Sequence, residues 1–151
     1  MERAIKFRGV HENKDGSIEL PCGDLVHDAP GSTAYYATHP YRICGHTERG
    51  CGWNSPIRKG TVMQFTGFLD LNEKEVYEGD ILHESAEGYL PVYFDNEYGG
   101  FCVKTLYEKM DPETGTKDME EFGVPLSQAL NDMSFLEVVG NIYENPELLN
   151  K

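Results

Sequence analysis

The chain has 151 residues, with 13 Lys plus Arg against 26 Asp plus Glu, and its formal net charge is −13 at pH 7. A protein this acidic lacks the cations that displace counterions from nucleic acid, and an anionic membrane surface repels it for the same reason. The charge therefore argues against direct binding to nucleic acid or membrane, and it favours a basic protein partner or bound cations.

No window of 18 apolar residues is present, so the sequence predicts no membrane-spanning segment. The charged start, Met1-Glu2-Arg3, is followed by no apolar run and does not resemble a signal peptide. We expect the chain to stay in the cytoplasm. Its four cysteines are then expected to be thiols or ligands rather than disulfides.

The N-terminal part of the sequence changes its pattern after about 20 residues. Residues 5–8 alternate apolar with charged side chains, and residues 13–16 carry turn chemistry ending at Gly16, which predicts a hairpin. Residues 21–59 hold four prolines and many glycines that interrupt any regular period. We predict a loop-rich insertion with short strands there, with residues 35–37 as one candidate strand.

The C-terminal part alternates short strand patterns with turns. We predict a mobile loop over residues 108–121, a short helix over residues 125–132 and a second helix start where Asn145 caps Pro146. Strands are predicted at residues 61–66, 75–77, 81–83, 91–95, 101–107 and 136–143. This pattern predicts a mostly β fold, with a β/loop-rich region over residues 1–60 and a small barrel over residues 61–151.

Four stretches, at residues 5–8, 63–67, 75–82 and 138–149, resemble the YopX family in the family's order. These are small proteins encoded by phages and prophages of Gram-positive and Bacteroides-like gut bacteria. The resemblance implies a small Src-homology-3-like barrel in the C-terminal part and a more variable N-terminal part. It carries over no catalytic residue. One departure is the turn Asn72-Glu73, where family members commonly have Asn-Gly; a Glu at a left-handed position costs about 1 kcal/mol.

The run Glu78-Gly79-Asp80 has two interpretations. Its carboxylates could bind a metal or act as a general-acid pair, which needs two acids held at a fixed separation in a cleft. Alternatively, Gly79 supplies a positive φ and Asp80 caps backbone N–H groups in a turn, which is the interpretation that we favour. Gly67 and Gly140 are likewise expected at bends of the strands.

A segment rich in histidine and cysteine is the main candidate for a metal site. His39, Cys44, His46 and Cys51 offer the thiolates and imidazoles that structural zinc prefers. The intervals of one residue between Cys44 and His46, and of four between His46 and Cys51, are not those of a zinc knuckle. The alternative is that Cys44 and Cys51 are buried apolar residues or a thiol pair. We predict no cofactor and keep structural zinc as an alternative hypothesis.

Without a catalytic signature, we predict a non-enzymatic accessory protein that acts through protein contacts. Two alternatives remain open. One is an acidic mimic of nucleic acid that inhibits a basic host or phage protein. The other is a metal-assisted hydrolase built on Glu78, Asp80 and the His/Cys segment. Because sheet edges pair readily, we also expect a homo-oligomer.

Overall fold

The structure is a computed structural model that describes residues 4–27, 39–47, 50–133 and 135–150, without the side chains at positions 46, 47, 50 and 51. No helix in those ranges is long and apolar enough to cross a membrane. The chain divides into two compact units, Met1–Gly67 and Phe68–Lys151. The sequence placed its boundary after residue 60, whereas the strand that links the two units extends from Met63 to Leu69.

The first unit is built on an antiparallel sheet. Its strands follow the order β6-β5-β4-β1-β7, and β2 and β3 form a separate hairpin. Val10, Ile43, Ile57 and Met63 are buried in this unit. The strands are β1 (Phe7–Arg8), β2 (His11–Glu12), β3 (Ile18–Glu19), β4 (Cys22–His27), β5 (Tyr41–Thr47), β6 (Gly50–Ile57) and β7 (Met63–Leu69).

The described residues of the segment 21–59 are more regular than the predicted loop-rich insertion with short strands, because β4, β5 and β6 occupy most of them. The candidate strand at residues 35–37 lies outside the described residues. Pro56 does not break the ladder because β6 lies at the end of the strand order, where a missing N–H removes no bond to a further strand. The predicted turn at residues 13–16 is present. Gly16 has φ 84°, and the Asn13 N–H donates to the Ser17 carbonyl at 2.9 Å.

The second unit holds a five-stranded antiparallel sheet with the order β12-β11-β10-β9-β13. Its core contains Leu82, Leu90, Val103 and Leu126, all 1% exposed or less. The elements are β8 (Glu75–Tyr77), β9 (Asp80–Glu84), β10 (Gly88–Asp95), β11 (Gly100–Met110), β12 (Lys117–Pro125), α1 (Leu126–Asp132), β13 (Glu137–Asn141) and the 3-10 helix η1 (Pro146–Asn150).

The predicted mostly β fold is confirmed, but the predicted Src-homology-3-like barrel is not. The described residues form three antiparallel sheets, and none of them closes. In the second unit β12 and β13 lie at opposite edges. To close this sheet into a barrel, β12 would have to pair with the outer edge of β13. At that edge the Val138 N–H already donates to the Asp70 carboxylate at 2.8 Å.

The prediction of a mobile loop over residues 108–121 is also wrong. β11 continues to Met110 and β12 begins at Lys117, and their register is unbroken from Cys102 opposite Pro125 to Met110 opposite Lys117. The turn between them is closed by the Asp111 N–H, which donates to the Thr116 carbonyl at 2.9 Å. The charges that suggested a loop are side chains of an exposed hairpin, where charge is compatible with strand structure.

Candidate functional site

The His/Cys segment lies on β5, β6 and the chain before them. His39 precedes β5 and lines a shallow groove with His11 and Pro56. Cys44 is 7% exposed and lies opposite Asp24 of β4. His46 and Cys51 are backbone partners across β5 and β6, but their side chains lie outside the described part of the structure. Among the described side chains, no three His, Cys, Asp or Glu groups come together as a metal site. Structural zinc therefore stays an alternative hypothesis.

The Glu78-Gly79-Asp80 run forms the turn between β8 and β9. Gly79 has φ 81°, and its N–H donates to the Val92 carbonyl at 2.8 Å. Asp80 is 1% exposed, and its Oδ2 accepts the Tyr77 N–H at 2.8 Å. The Asp80 carboxylate thus holds the turn from inside.

The other glycines singled out by the sequence lie at bends. Gly67 has φ 88°. Gly140 follows a register shift in β13, and a side chain there would collide with the Asn145 side chain. Asn145 Oδ1 accepts the Asn141 N–H at 3.3 Å, and its carbonyl accepts the Leu148 N–H at 3.1 Å as η1 begins. These three residues shape the backbone of their segments.

The most distinctive surface of the second unit is the outer part of the β11–β12 hairpin. Every residue from 106 to 123 is exposed, on both faces of the ribbon. We call this segment the hairpin arm. An antiparallel sheet usually packs at least one of its faces against a core, and an isolated hairpin is only marginally stable. Because neither face of the hairpin arm is buried, the core of its own chain stabilises it little.

One face of the hairpin arm carries an apolar stripe, defined as Leu106, Met110 and Met119. These side chains are 53%, 62% and 61% exposed. The register sets Met119 opposite Glu108, so Leu106 and Met110 are its two diagonal neighbours on the same face. Charged side chains lie among the stripe residues on this face: Lys117 and Glu108 form an ion pair at 2.8 Å between Met110 and Met119, and Lys104 and Glu121 form one at 3.6 Å beside Leu106. Exposed apolar side chains grouped with charged ones are a feature of protein contact surfaces.

The opposite face of the hairpin arm is held together by its own side chains. The Tyr107 and Phe122 rings meet edge to face with centroids 5.0 Å apart. The Tyr107 hydroxyl donates to Glu120 Oε2 at 2.6 Å, and Lys109 Nζ lies 2.9 Å from the same oxygen. The hydrogen bond from Tyr107, with that from Lys109, lowers the pKa of Glu120, and the Glu120 carboxylate raises the pKa of Lys109. These contacts stiffen the ribbon that presents the apolar stripe.

The apolar stripe continues into a groove of about 380 Å³ at the root of the hairpin arm. Leu106 belongs to both. The rest of the lining mixes apolar with polar and charged residues: Glu87, Tyr89, Leu90, Pro91, Lys104, Thr105, Glu121, Leu148 and Leu149. Beneath it the buried Thr105 hydroxyl donates to Glu87 Oε2 at 2.8 Å. The groove lies in the lower part of the volume range of small-ligand sites, which also suits an apolar side chain of a protein partner.

Sequence reasoning missed the hairpin arm because Pro112, Gly115 and the many charges indicated a loop. A usable signal was present. Asp111-Pro112-Glu113-Thr114-Gly115 has turn chemistry, and it separates two segments that each mix apolar with charged residues. Neither segment shows the strict alternation of a half-buried strand, because neither face of the arm is buried.

Comparison with known proteins identifies a family and similarities to solved structures. The model of the family described as YopX protein matches residues 26–150. Among solved structures, the chain is similar to one titled "Crystal structure of protein EF1440 from Enterococcus faecalis". The two are 20% identical with a TM-score of 0.46, and the similarity covers 98% of this chain and 99% of that chain. No curated protein matches.

Proposed function

The chain belongs to the YopX protein family, and from that premise we propose that it is a phage- or prophage-derived accessory protein. In this proposal it acts in the bacterial cytoplasm through protein contacts and catalyses no reaction. The observation that carries the proposal is the hairpin arm, with an apolar stripe that is open to solvent and continuous with a groove.

The energetic argument starts from exposure. Full burial of a Leu or Met side chain from complete exposure gains roughly 1.5–3 kcal/mol, and Leu106 and Met119, which are 53% and 61% exposed, retain a little over half of that gain. Within the described residues of the chain, the hairpin arm leaves that free energy unused. A partner that covers the stripe would recover it, and a side chain seated in the groove would anchor the contact.

The proposal does not use the acids of the Glu78-Gly79-Asp80 run, because the Asp80 carboxylate accepts a backbone N–H inside its turn. The hydrolase alternative keeps no geometric support there. The acidic-mimic alternative is compatible with the net charge, and salt dependence separates it from binding through the apolar stripe.

The test is affinity capture from a host lysate with three baits: the natural chain, the stripe variant Leu106→Ser/Met110→Ser/Met119→Ser, and the control variant Ile5→Ser/Leu71→Ser/Phe135→Ser. The control side chains are 66%, 52% and 74% exposed, so the two variants remove similar apolar surface. We expect the stripe variant to lose the captured proteins and the control to retain them in physiological salt.

Equal capture by the natural chain and the stripe variant would contradict the proposal. Capture of basic proteins alone by all three baits, lost at high salt, would favour the acidic mimic instead. Circular dichroism of each bait checks that it is folded, since substitutions of exposed side chains change stability by only about 0.5 kcal/mol.

A further inference from the structure

The outer edge of β12 has an open backbone. No hydrogen bond joins the backbone of residues 117–123 to any described residue other than those of β11. An unpaired strand edge is a template for one more strand, and main-chain hydrogen bonds then supply affinity while the side chains supply specificity. The nine residues of β12 make this edge as long as a typical binding strand.

The side chains of β12 define what a neighbouring strand must carry. Residues 118–122 read Asp, Met, Glu, Glu, Phe, so apolar positions lie at Met119 and Phe122 and acids at the other three. The whole hairpin arm has six carboxylates and two lysines, a net charge of −4. Directly opposite pairs of unlike charge stabilise a sheet, and like charges destabilise it.

A second copy of this chain fits the edge poorly. Antiparallel pairing of two copies centred on Glu120 or on Glu121 sets that glutamate opposite itself, and each copy brings a net charge of −13. A strand from a different, cationic protein meets no such penalty. The predicted homo-oligomer is therefore not the favoured occupant of this edge.

We propose that the open edge of β12 takes one added strand from a partner protein, with the side-chain order apolar, cation, cation, apolar, cation. In that order the apolar residues lie opposite Phe122 and Met119, and the cations lie opposite Glu121, Glu120 and Asp118. This inference rests on the proposed function, since it names how the partner covers the hairpin arm.

The probe is a labelled nine-residue peptide with Val-Lys-Lys-Val-Lys at its centre, titrated with the full chain by fluorescence anisotropy. One control peptide has the same composition in the order Lys-Lys-Lys-Val-Val. A second has the probe sequence with every second amide N-methylated, which removes the donors needed for pairing and keeps the charge. We expect each control peptide to bind at least about tenfold more weakly than the probe.

Variants of the chain give the matching comparison. Glu120→Gln/Glu121→Gln is expected to weaken probe binding about five- to tenfold, because it removes two opposite-charge pairs. Glu19→Gln/Glu97→Gln changes the net charge equally at exposed sites outside the hairpin arm, and its binding should stay within about twofold.

Equal binding of the three peptides, or binding of none, would overturn the strand proposal. Hydrogen-exchange protection of residues 118–122 that grows with protein concentration without peptide would overturn it in favour of a second copy. The two experiments distinguish failure of this inference from failure of the proposed function. If capture from lysate still depends on the apolar stripe but the chain shows no preference for the probe peptide, only the added-strand proposal is rejected. If capture does not depend on the stripe, the proposed function is rejected.

Discussion

The two edges of the five-stranded sheet differ in whether side chains form hydrogen bonds with their backbone. At the β13 edge, Asp70 Oδ2 accepts the Val138 N–H at 2.8 Å, and Lys74 Nζ donates to the Val138 carbonyl at 3.3 Å. A register shift between Val138 and Gly140 further interrupts that edge. At the β12 edge, the backbone of residues 117–123 has no such cover among the described residues.

The difference is that side chains of the same unit cover the backbone of one sheet edge and leave the other edge open among the described residues. A side-chain carboxylate that accepts a backbone N–H of an edge strand, and a β-bulge in that strand, both hinder pairing with a further strand. The β12 edge uses neither, and its acids repel other copies of the same chain while leaving a cationic strand free to pair. In the proposed contact, this difference in charge would make the open edge selective for a cationic strand.

The largest expected effect comes from removing the protection of the β13 edge. The Asp70 side chain is 6% exposed; Oδ1 accepts the N–H groups of Asn72 and Lys74 at 2.8 and 2.9 Å, and Oδ2 accepts that of Val138. Asp70→Ala leaves these donors without their acceptor and should lower the free energy of unfolding by about 2–4 kcal/mol. Urea denaturation measures the loss, and amide exchange at Val138 localises it.

Asp118→Ala on the open edge is the matched control, because Asp118 is exposed and the change should stay within about 0.5 kcal/mol. Similar losses for both variants would show that the two edges do not differ in the way described.

A smaller effect is expected in the turn that carries Asp70. Glu73 has φ 62°, so the departure from Asn-Gly is accommodated as backbone strain. Glu73→Gly should raise the free energy of unfolding by up to about 1 kcal/mol, since glycine takes this conformation without the β-carbon penalty. Thermal unfolding measures the gain. Glu73→Ala retains the β-carbon and should not raise the free energy of unfolding. An equal increase for both variants would contradict the explanation by backbone strain at position 73.

The smallest effect concerns acid pH at the hairpin arm. Backbone N–H groups of Glu113 and Thr114 lower the pKa of Asp111, and the Tyr107 and Lys109 side chains lower that of Glu120. A carboxyl group whose pKa is lower in the folded chain than in the unfolded chain stabilises the folded state at pH values above the unfolded-state pKa. That stabilisation is lost as the pH falls through the folded-state pKa. We therefore expect the arm to loosen as the pH falls below about 4.

Amide exchange at Gly115, measured from pH 6 to pH 3 and corrected for intrinsic rates, tests this loosening. Asp111→Asn should remove most of the pH dependence at Gly115. Exchange at Gly115 of the natural chain that does not change over this pH range would contradict the expected loosening.

Local patterns predicted the parts of the fold that depend on neighbours in sequence. The strands at residues 91–95 and 101–107 and the helix start at Pro125 were found because turn residues and short apolar periods mark them. The sheet of β4, β5 and β6 was missed because its order comes from cross-strand pairs that tolerate Pro56 at an edge. The hairpin arm was missed because it buries neither face, so no alternation marks its strands.

The sequence by itself determined the acidic charge, the family, the mostly β class and the turn glycines, because each depends on composition or on a few adjacent residues. Only the tertiary structure decided which edge of the sheet is protected and which is open. That outcome depends on Asp70 reaching Val138, 68 positions away, and on the register that brings Leu106, Met110 and Met119 onto one face. Such pairings between distant segments leave no trace in local periodicity, since each strand by itself is compatible with many partners.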